Sequence, residues 1–204
     1  FASAKVSYSV KGIFVGNGND FVIDIRERNQ MKIYLDNAAT TKMTKTAIAA
    51  MLPYMDTIYG NPSSLHSSGQ AAAEALAEAR QRIARCIGAS PEGILFTSGG
   101  SESDNQALLS AAQIGQRKGK RHIISTAFEH HAVLHTLKKL EKEGFEITLL
   151  DVHENGIVLP EQVAAAIRED TCLVTVMYAN NEIGTVQPIE KIGEICRAKH
   201  VLFH

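Results

Sequence analysis

The sequence predicts an α/β protein, a mostly parallel sheet flanked by helices. Two observations predict it. Short apolar runs such as "CLVTVMY" (172–178) and "EITLLDV" (146–152) are rich in β-branched residues, as strands covered on both faces are. Between such runs lie amphipathic stretches of about ten residues or more, long enough for helical crossovers between parallel strands.

Taken in order, the pattern begins at Met31. Ile33-Tyr34-Leu35 is expected as a short strand, with a helix near Thr44 to Met55. The turn-rich loop "GNPSSLHSSG" (60–69) leads into an alanine-rich helix from about Gln70 to Cys86. A strand at 94–97 precedes a helix starting at Ser101. Strand 122–126 precedes a helix near His130 to Glu143, and strand 146–151 one near Pro160 to Arg168. Strand 172–178 is followed by a helix near Pro188 to Lys199. The closing "VLFH" reads as a strand just beginning, so the sheet is expected to be cut off at its C-terminal end.

Residues 1–30 form a separate extension with two readings. "VSYSV", "GIFV" and "FVIDIR" are β-like, and "GNGND" would join two of them as a hairpin. Alternatively Met31 is the natural start, and the preceding residues are translated upstream sequence. The opening on Phe1 favours the second reading.

Composition narrows the function classes. Of 204 residues, 45% are hydrophobic, which suits one substantial globular domain. Acidic and basic residues nearly cancel, at 22 against 21, so there is no basic field for nucleic acid. No apolar stretch approaches the roughly 18 residues of a membrane span. Cys86, Cys172 and Cys196 are odd in number and widely spaced, which matches neither a disulfide framework nor a zinc knuckle and suits a reducing cytoplasm.

The segment richest in chemical signal is "ILFTSGGSESDNQALL" (94–109), a strand-like run turning through Gly99, Gly100 and Ser101 into a helix. A helix N-terminus presents unpaired N–H groups and positive dipole character, glycines admit an anion to the backbone, and Ser98 and Ser101 offer hydroxyls. The pattern lacks the lysine of a G-x-x-x-x-G-K-[ST] loop and the spacing of G-x-G-x-x-G. Ser101-Glu102-Ser103-Asp104 also matches a capping box, which would start a helix without any ligand. Taken alone, the stretch favours capping over phosphate binding.

Three further stretches lie where strands deliver residues to the same sheet edge. These are "LDNAATT" (35–41), "FEHHAVLH" (128–135) and "YANNEIG" (178–184). Each has a bland reading. His130 would serve as an ordinary helix-start residue, and the asparagines as turn formers. His131 and His135 lie four apart on one helix face, but no H-E-x-x-H and no third ligand accompany them, so no metal is expected.

In this order and spacing, "YLDNAATT", "GNPSSLHSSG", "ILFTSGGSESDN", "HIIST…EHHAVL" and "VMYANNEIGTVQPI" resemble the N-terminal part of a cysteine desulfurase. These enzymes belong to the class V aminotransferase-like group of pyridoxal-phosphate proteins. The resemblance runs from about Met31 to His204 and implies the fold of the pyridoxal-phosphate-dependent transferases over 31–204. It implies that Gly100 and Ser101 contact the cofactor phosphate, where many relatives carry Ala-Thr. It implies that His130 stacks on the pyridine ring and assists proton transfer, that Asn181 contacts the cofactor, and that Asn37-Ala38-Ala39-Thr40 lines the substrate side. L-cysteine as substrate, a sulfur-accepting protein and a homodimer are implied as well.

The resemblance also implies residues that have no counterpart here: an aspartate for the pyridine nitrogen, a Schiff-base lysine in Ser-x-His-Lys, a persulfide cysteine and a carboxylate-binding arginine. Neither the three cysteines nor the lysines of helical stretches such as "LKKLEKE" match those positions. The chain is therefore expected not to desulfurate cysteine alone. Another class V enzyme, an aminotransferase or selenocysteine lyase, would share the same corner. So would a non-catalytic chain that pairs with a second polypeptide.

Overall fold

The structure is a computed structural model and describes residues 33–204. The hairpin expectation for 1–30 lies outside the described residues. Residues 33–42 belong to one unit and Met43–His204 form another.

In the first unit, Ile33-Tyr34-Leu35 was expected as a strand and carries no ladder hydrogen bonds. Ile33 and Leu35 are exposed, and a strand needs a neighbour to satisfy its backbone. Asn37 to Ala39 form a turn, with the Thr40 N–H reaching the Asp36 carbonyl at 3.4 Å and the Tyr34 hydroxyl donating to the same carbonyl at 2.8 Å.

The second unit carries the expected alternation. Helix α1 (Lys45–Asp56) is capped by the Thr44 hydroxyl, which accepts from the Ala47 N–H at 3.1 Å. The loop at 60–69 contains an Asx turn, Asn61 Oδ1 accepting from the Ser63 N–H at 2.9 Å. It feeds α2 (Ser67–Ile87), three residues earlier than the alanine pattern suggested, with His66 as cap. There follow α3 (Gly100–Arg117), β1 (His122–Thr126), α4 (His131–Lys142), β2 (Glu146–Leu150), α5 (Pro160–Ala166), β3 (Thr171–Val174), α6 (Ile189–Ala198) and β4 (Leu202–Phe203).

The sheet order is β2-β1-β3-β4, and every pairing is parallel. The inner strands β1 and β3 are buried at every residue. Alternation sends their neighbours to opposite faces. Ile123 and Leu173 pack with Leu108, Leu137 and Leu140 under α3 and α4. Ile124 and Val174 pack with Val163, Ile192 and Cys196 under α5 and α6. Helix α3 comes close to β3 at Gly115, where a Cβ would lie 2.4 Å from Cys172 Cβ. Only a residue without a side chain allows that approach.

The expected strand at 94–97 is extended but unpaired among the described residues, leaving Leu95 64% and Phe96 41% exposed. It is held instead by Arg80, whose guanidinium donates to the Ile94 carbonyl and lies 4.7 Å from the Phe96 ring centroid. Among the described residues no helix is long and apolar enough to cross a membrane.

The order 2-1-3-4 carries a consequence for ligands. The chain leaves β1 toward β2 on one side and later returns to add β3 and β4 on the other. The crevice beyond the carboxyl ends of β1 and β3 is therefore the switch point where open α/β sheets bind ligands.

Candidate functional site

Helix α3 begins one residue earlier than expected, and the capping box over Ser101–Asp104 does not form. Gly99 is the N-cap. Glu102 folds back instead, its carboxylate accepting from the Ser98 N–H at 2.8 Å and from the Ser98 hydroxyl. These bonds hold the Glu102 carboxyl below its ordinary range. Ser101 is thus the second residue of the helix and free of capping duty. The Ser103 N–H is the first to bond back, to the Gly99 carbonyl at 3.1 Å. The N–H groups of Gly100, Ser101 and Glu102 precede that first bond and have no intrahelical acceptor. A side chain at Gly99 or Gly100 would meet nothing within 4 Å, so the approach to these donors is open.

His130 stands as N-cap of α4, its Nδ1 accepting from the Ala132 N–H at 3.1 Å. That bond assigns the proton of the neutral ring to Nε2. Ser101 and His130 line one open cleft of about 390 Å³ together with Asn105, His131, His135 and Lys139. The Thr136 hydroxyl bonds to Asn105 Oδ1, joining α4 to α3 beneath that cleft. His131 and His135 stack with centroids 5.6 Å apart. Among the described residues no three His, Cys, Asp or Glu side chains gather as a metal site.

The two asparagines after β3 separate into different tasks. Asn180 is buried; its Oδ1 accepts from the Glu182 and Ile183 N–H groups at 2.8 and 3.0 Å, and its amide donates to the Phe128 carbonyl at 3.2 Å. Asn181 is exposed, with no such bonds. Glu129 is buried just before His130, and its Oε1 accepts from the Met177 N–H at 2.7 Å and the Thr126 hydroxyl at 2.9 Å. Burial pushes the Glu129 carboxyl up, and those two bonds oppose the shift.

Sequence reasoning missed one polar pairing at this edge. His204, just past β4, sets its Nδ1 2.9 Å from the Thr175 hydroxyl and its Nε2 3.7 Å from Asp104 Oδ1 on α3. Apolar runs that end on a polar residue, as "VLFH" does, are the signal that would have found it. Asn37-Ala38-Ala39-Thr40 lie in the first unit, where Asn37 to Ala39 form an exposed turn.

The cysteines do not join the site. Cys172 and Cys196 are buried and free; burial pushes the Cys172 thiol up and the Cys196 thiol up to about 11. Neither is a ready thiolate at neutral pH. Cys86 is free and exposed on α2.

A parallel sheet with an open helix terminus and a histidine at its switch point is the arrangement at which open α/β domains bind ligands. Solved structures share its architecture. A NifS-like protein superimposes with a TM-score of 0.81 at 39% identity, covering 85% of this chain and 48% of its own. DndA from Streptomyces lividans gives 0.75 at 40% identity, covering 84% and 48%. SspA, solved in complex with cysteine, gives 0.77 at 39%, covering 82% and 48%. Residues 33–204 match the aminotransferase class-V family, and the chain belongs to it.

Among curated relatives, the chain is 53% identical over 173 residues to a putative cysteine desulfurase, IscS 1, of Bacillus subtilis, covering 85% of this chain and 45% of the relative. It is 49% identical over 172 residues to the cysteine desulfurase IscS of Methanosarcina thermophila, covering 84% and 42%. The chain thus spans less than half the length of these relatives.

Proposed function

We propose that this chain carries the cofactor-gripping part of a pyridoxal-phosphate-dependent cysteine desulfurase acting on L-cysteine. The observation that carries the reading is the shared cleft of Ser101 and His130. An open helix terminus and an imidazole ring meet there at the switch point, in a chain about half identical to desulfurases.

The residues present fit a phosphate ester on an aromatic ring. The α3 terminus would hold the dianion through the N–H groups of Gly100 and Ser101 and the Ser101 hydroxyl. The departure from Ala-Thr to Gly-Ser keeps the hydroxyl donor. His130 would cover one face of the ring, with Nε2 the atom that holds or passes a proton, since Nδ1 is committed to the Ala132 N–H. Asn181, exposed beside the fixed Asn180, would contact the cofactor edge. When bound, pyridoxal phosphate supplies the electron sink that lets bonds of an amino-acid substrate break. Asn37, Ala38, Ala39 and Thr40 are proposed to line the substrate side.

The 204 residues hold no counterpart of the Schiff-base lysine or persulfide cysteine, so the chain alone should bind the cofactor without releasing sulfur. A homodimer, a sulfur-accepting protein and a reducing cytoplasmic compartment complete the reading; three free thiols support the last. The test is titration of the purified chain with pyridoxal phosphate and with pyridoxal. Saturable binding that depends on the phosphate supports the reading, and equal binding of both sinks it. Pyridoxal-phosphate-dependent alanine or sulfide release above a cofactor-only control would overturn the expected inactivity.

A further inference from the structure

We propose that Glu129 and Asn180 form a reciprocal brace that sets the spacing between His130 and Asn181, making both positioning residues for the cofactor ring. The proposal rests on the reading of the site given above.

Two loops leave adjacent strands at the switch point, one after β1 and one after β3. From the first, Glu129 crosses to accept the Met177 N–H at 2.7 Å. From the second, Asn180 crosses back to donate to the Phe128 carbonyl at 3.2 Å. Each loop thus sends one side chain onto the backbone of the other, with both donors in the loop after β3 and both acceptors in the loop after β1, so neither loop can slide without breaking a bond.

Each brace residue is anchored at its own end. Glu129 Oε1 also accepts from the Thr126 hydroxyl at 2.9 Å, on the last residue of β1. Asn180 is the hub of a closed turn: its N–H donates to the Thr185 carbonyl and its carbonyl accepts from the Gly184 N–H, both at 2.9 Å. Glu129 is 6% and Asn180 7% exposed.

The residue next to each brace member is the one assigned to the cofactor. In both loops the order is a buried polar residue followed by an exposed one, Glu129 then His130 and Asn180 then Asn181. The inward side chain locks the backbone from which the outward one projects. A buried carboxylate costs stability unless its bonds offset desolvation, and such groups are found where geometry must be held. An acceptor serving one donor at the end of β1 and one in the loop after β3 supplies that geometry.

The test compares two probes, pyridoxal phosphate and inorganic phosphate, on the 204-residue chain. Inorganic phosphate needs only the α3 terminus, whereas the cofactor also needs His130 and Asn181 in place. Glu129→Ala should weaken pyridoxal phosphate about tenfold and leave inorganic phosphate within about twofold. Glu129→Gln, whose amide oxygen can accept both bonds, should stay within about twofold for both probes. Loss of both probes in the same ratio, or of neither, overturns the brace.

If Glu129→Ala does not fold, Thr126→Val removes one of the two donors at nearly constant volume and should give the same selective loss, about threefold. A cofactor-free readout separates the two layers of the argument. The His130 imidazole and Asn181 amide resonances should move in the brace-breaking variant and hold in Glu129→Gln. Should the wild-type chain not bind pyridoxal phosphate, the functional reading falls while these resonances still decide the brace. Unmoved resonances in the brace-breaking variant would overturn it.

Discussion

Gly115 is the point at which a small change should test how tightly the site depends on the core. In Gly115→Ala the new Cβ would lie 2.4 Å from Cys172 Cβ, 2.8 Å from Cys172 Sγ and 3.2 Å from the Lys120 carbonyl oxygen. An ordinary contact needs about 1 Å more, so α3 must lift from β3 by that order. Neither partner can swing aside, because Cys172 Cβ is fixed to a buried strand. Overpacking of this kind costs about 1–3 kcal/mol. Taking about 2 kcal/mol, a chain of this size should melt on the order of 4–8 °C lower. Gly115 is about 22 Å along the helix from Gly100 at 1.5 Å per residue, so the lift also tilts the N-terminus of α3. Thermal unfolding by circular dichroism is the assay, with Gly115→Ala/Cys172→Gly as partner variant. Removing Cys172 Cβ and Sγ should recover about 1 kcal/mol of the loss as a coupling energy. A melting point within about 1 °C of wild type for Gly115→Ala, or no coupling in the cycle, would refute the contact as the reason for the glycine.

Three further outcomes are expected. His130→Asn keeps a good N-cap for α4 and removes the ring, so stability should hold within about 0.5 kcal/mol while pyridoxal-phosphate affinity falls; an unchanged affinity would remove His130 from the site. Gly100→Ala introduces the residue that the resemblance gives to many relatives at this position and meets no neighbour, so it should leave the fold as stable or slightly more so and inorganic phosphate binding within about twofold; a larger loss by calorimetry would show that the donors need a bare glycine. His122 is buried, its ring nitrogens 2.7 and 2.8 Å from the Thr171 and Thr148 hydroxyls, and burial, with a lesser push from Arg168, lowers its pKa. Its folded value lies below the unfolded one of about 6.5, so the unfolded chain takes up the proton first on acidification. Stability should therefore be full above about pH 6.5 and fall below it toward the folded value, by no more than about 1.4 kcal/mol per pH unit. Denaturant unfolding across that window should show the slope flattened in His122→Gln; an equal slope in both would assign it to other groups.

Helices and crossovers were legible in the sequence because their signals are local. Caps, apolar period and strand composition place α3 to α6 and β1 to β4 within a few residues. Ile33–Leu35 and 94–97 carry the same apolar signal and form no ladder, since a strand exists only when a neighbour accepts its hydrogen bonds. The capping pattern at Ser101–Asp104 was satisfied on paper. It lost to Ser98–Glu102, because Glu102 reaches both a backbone N–H and a hydroxyl at Ser98.

The division at the site follows the same physics. Which residues arrive at the sheet edge is a matter of chain order, so Gly100, Ser101, His130 and Asn181 are expected there from spacing and resemblance alone. Which of two adjacent residues turns inward is not. Asn180 rather than Asn181 is buried because its amide can bond across to the Phe128 carbonyl. Glu129 reaches Met177, 48 residues away, and His204 sits beside Asp104, because the parallel sheet places the ends of β1, β3 and β4 side by side. Such partners are far apart along the chain and leave no periodic trace, so only the packed sheet selects them.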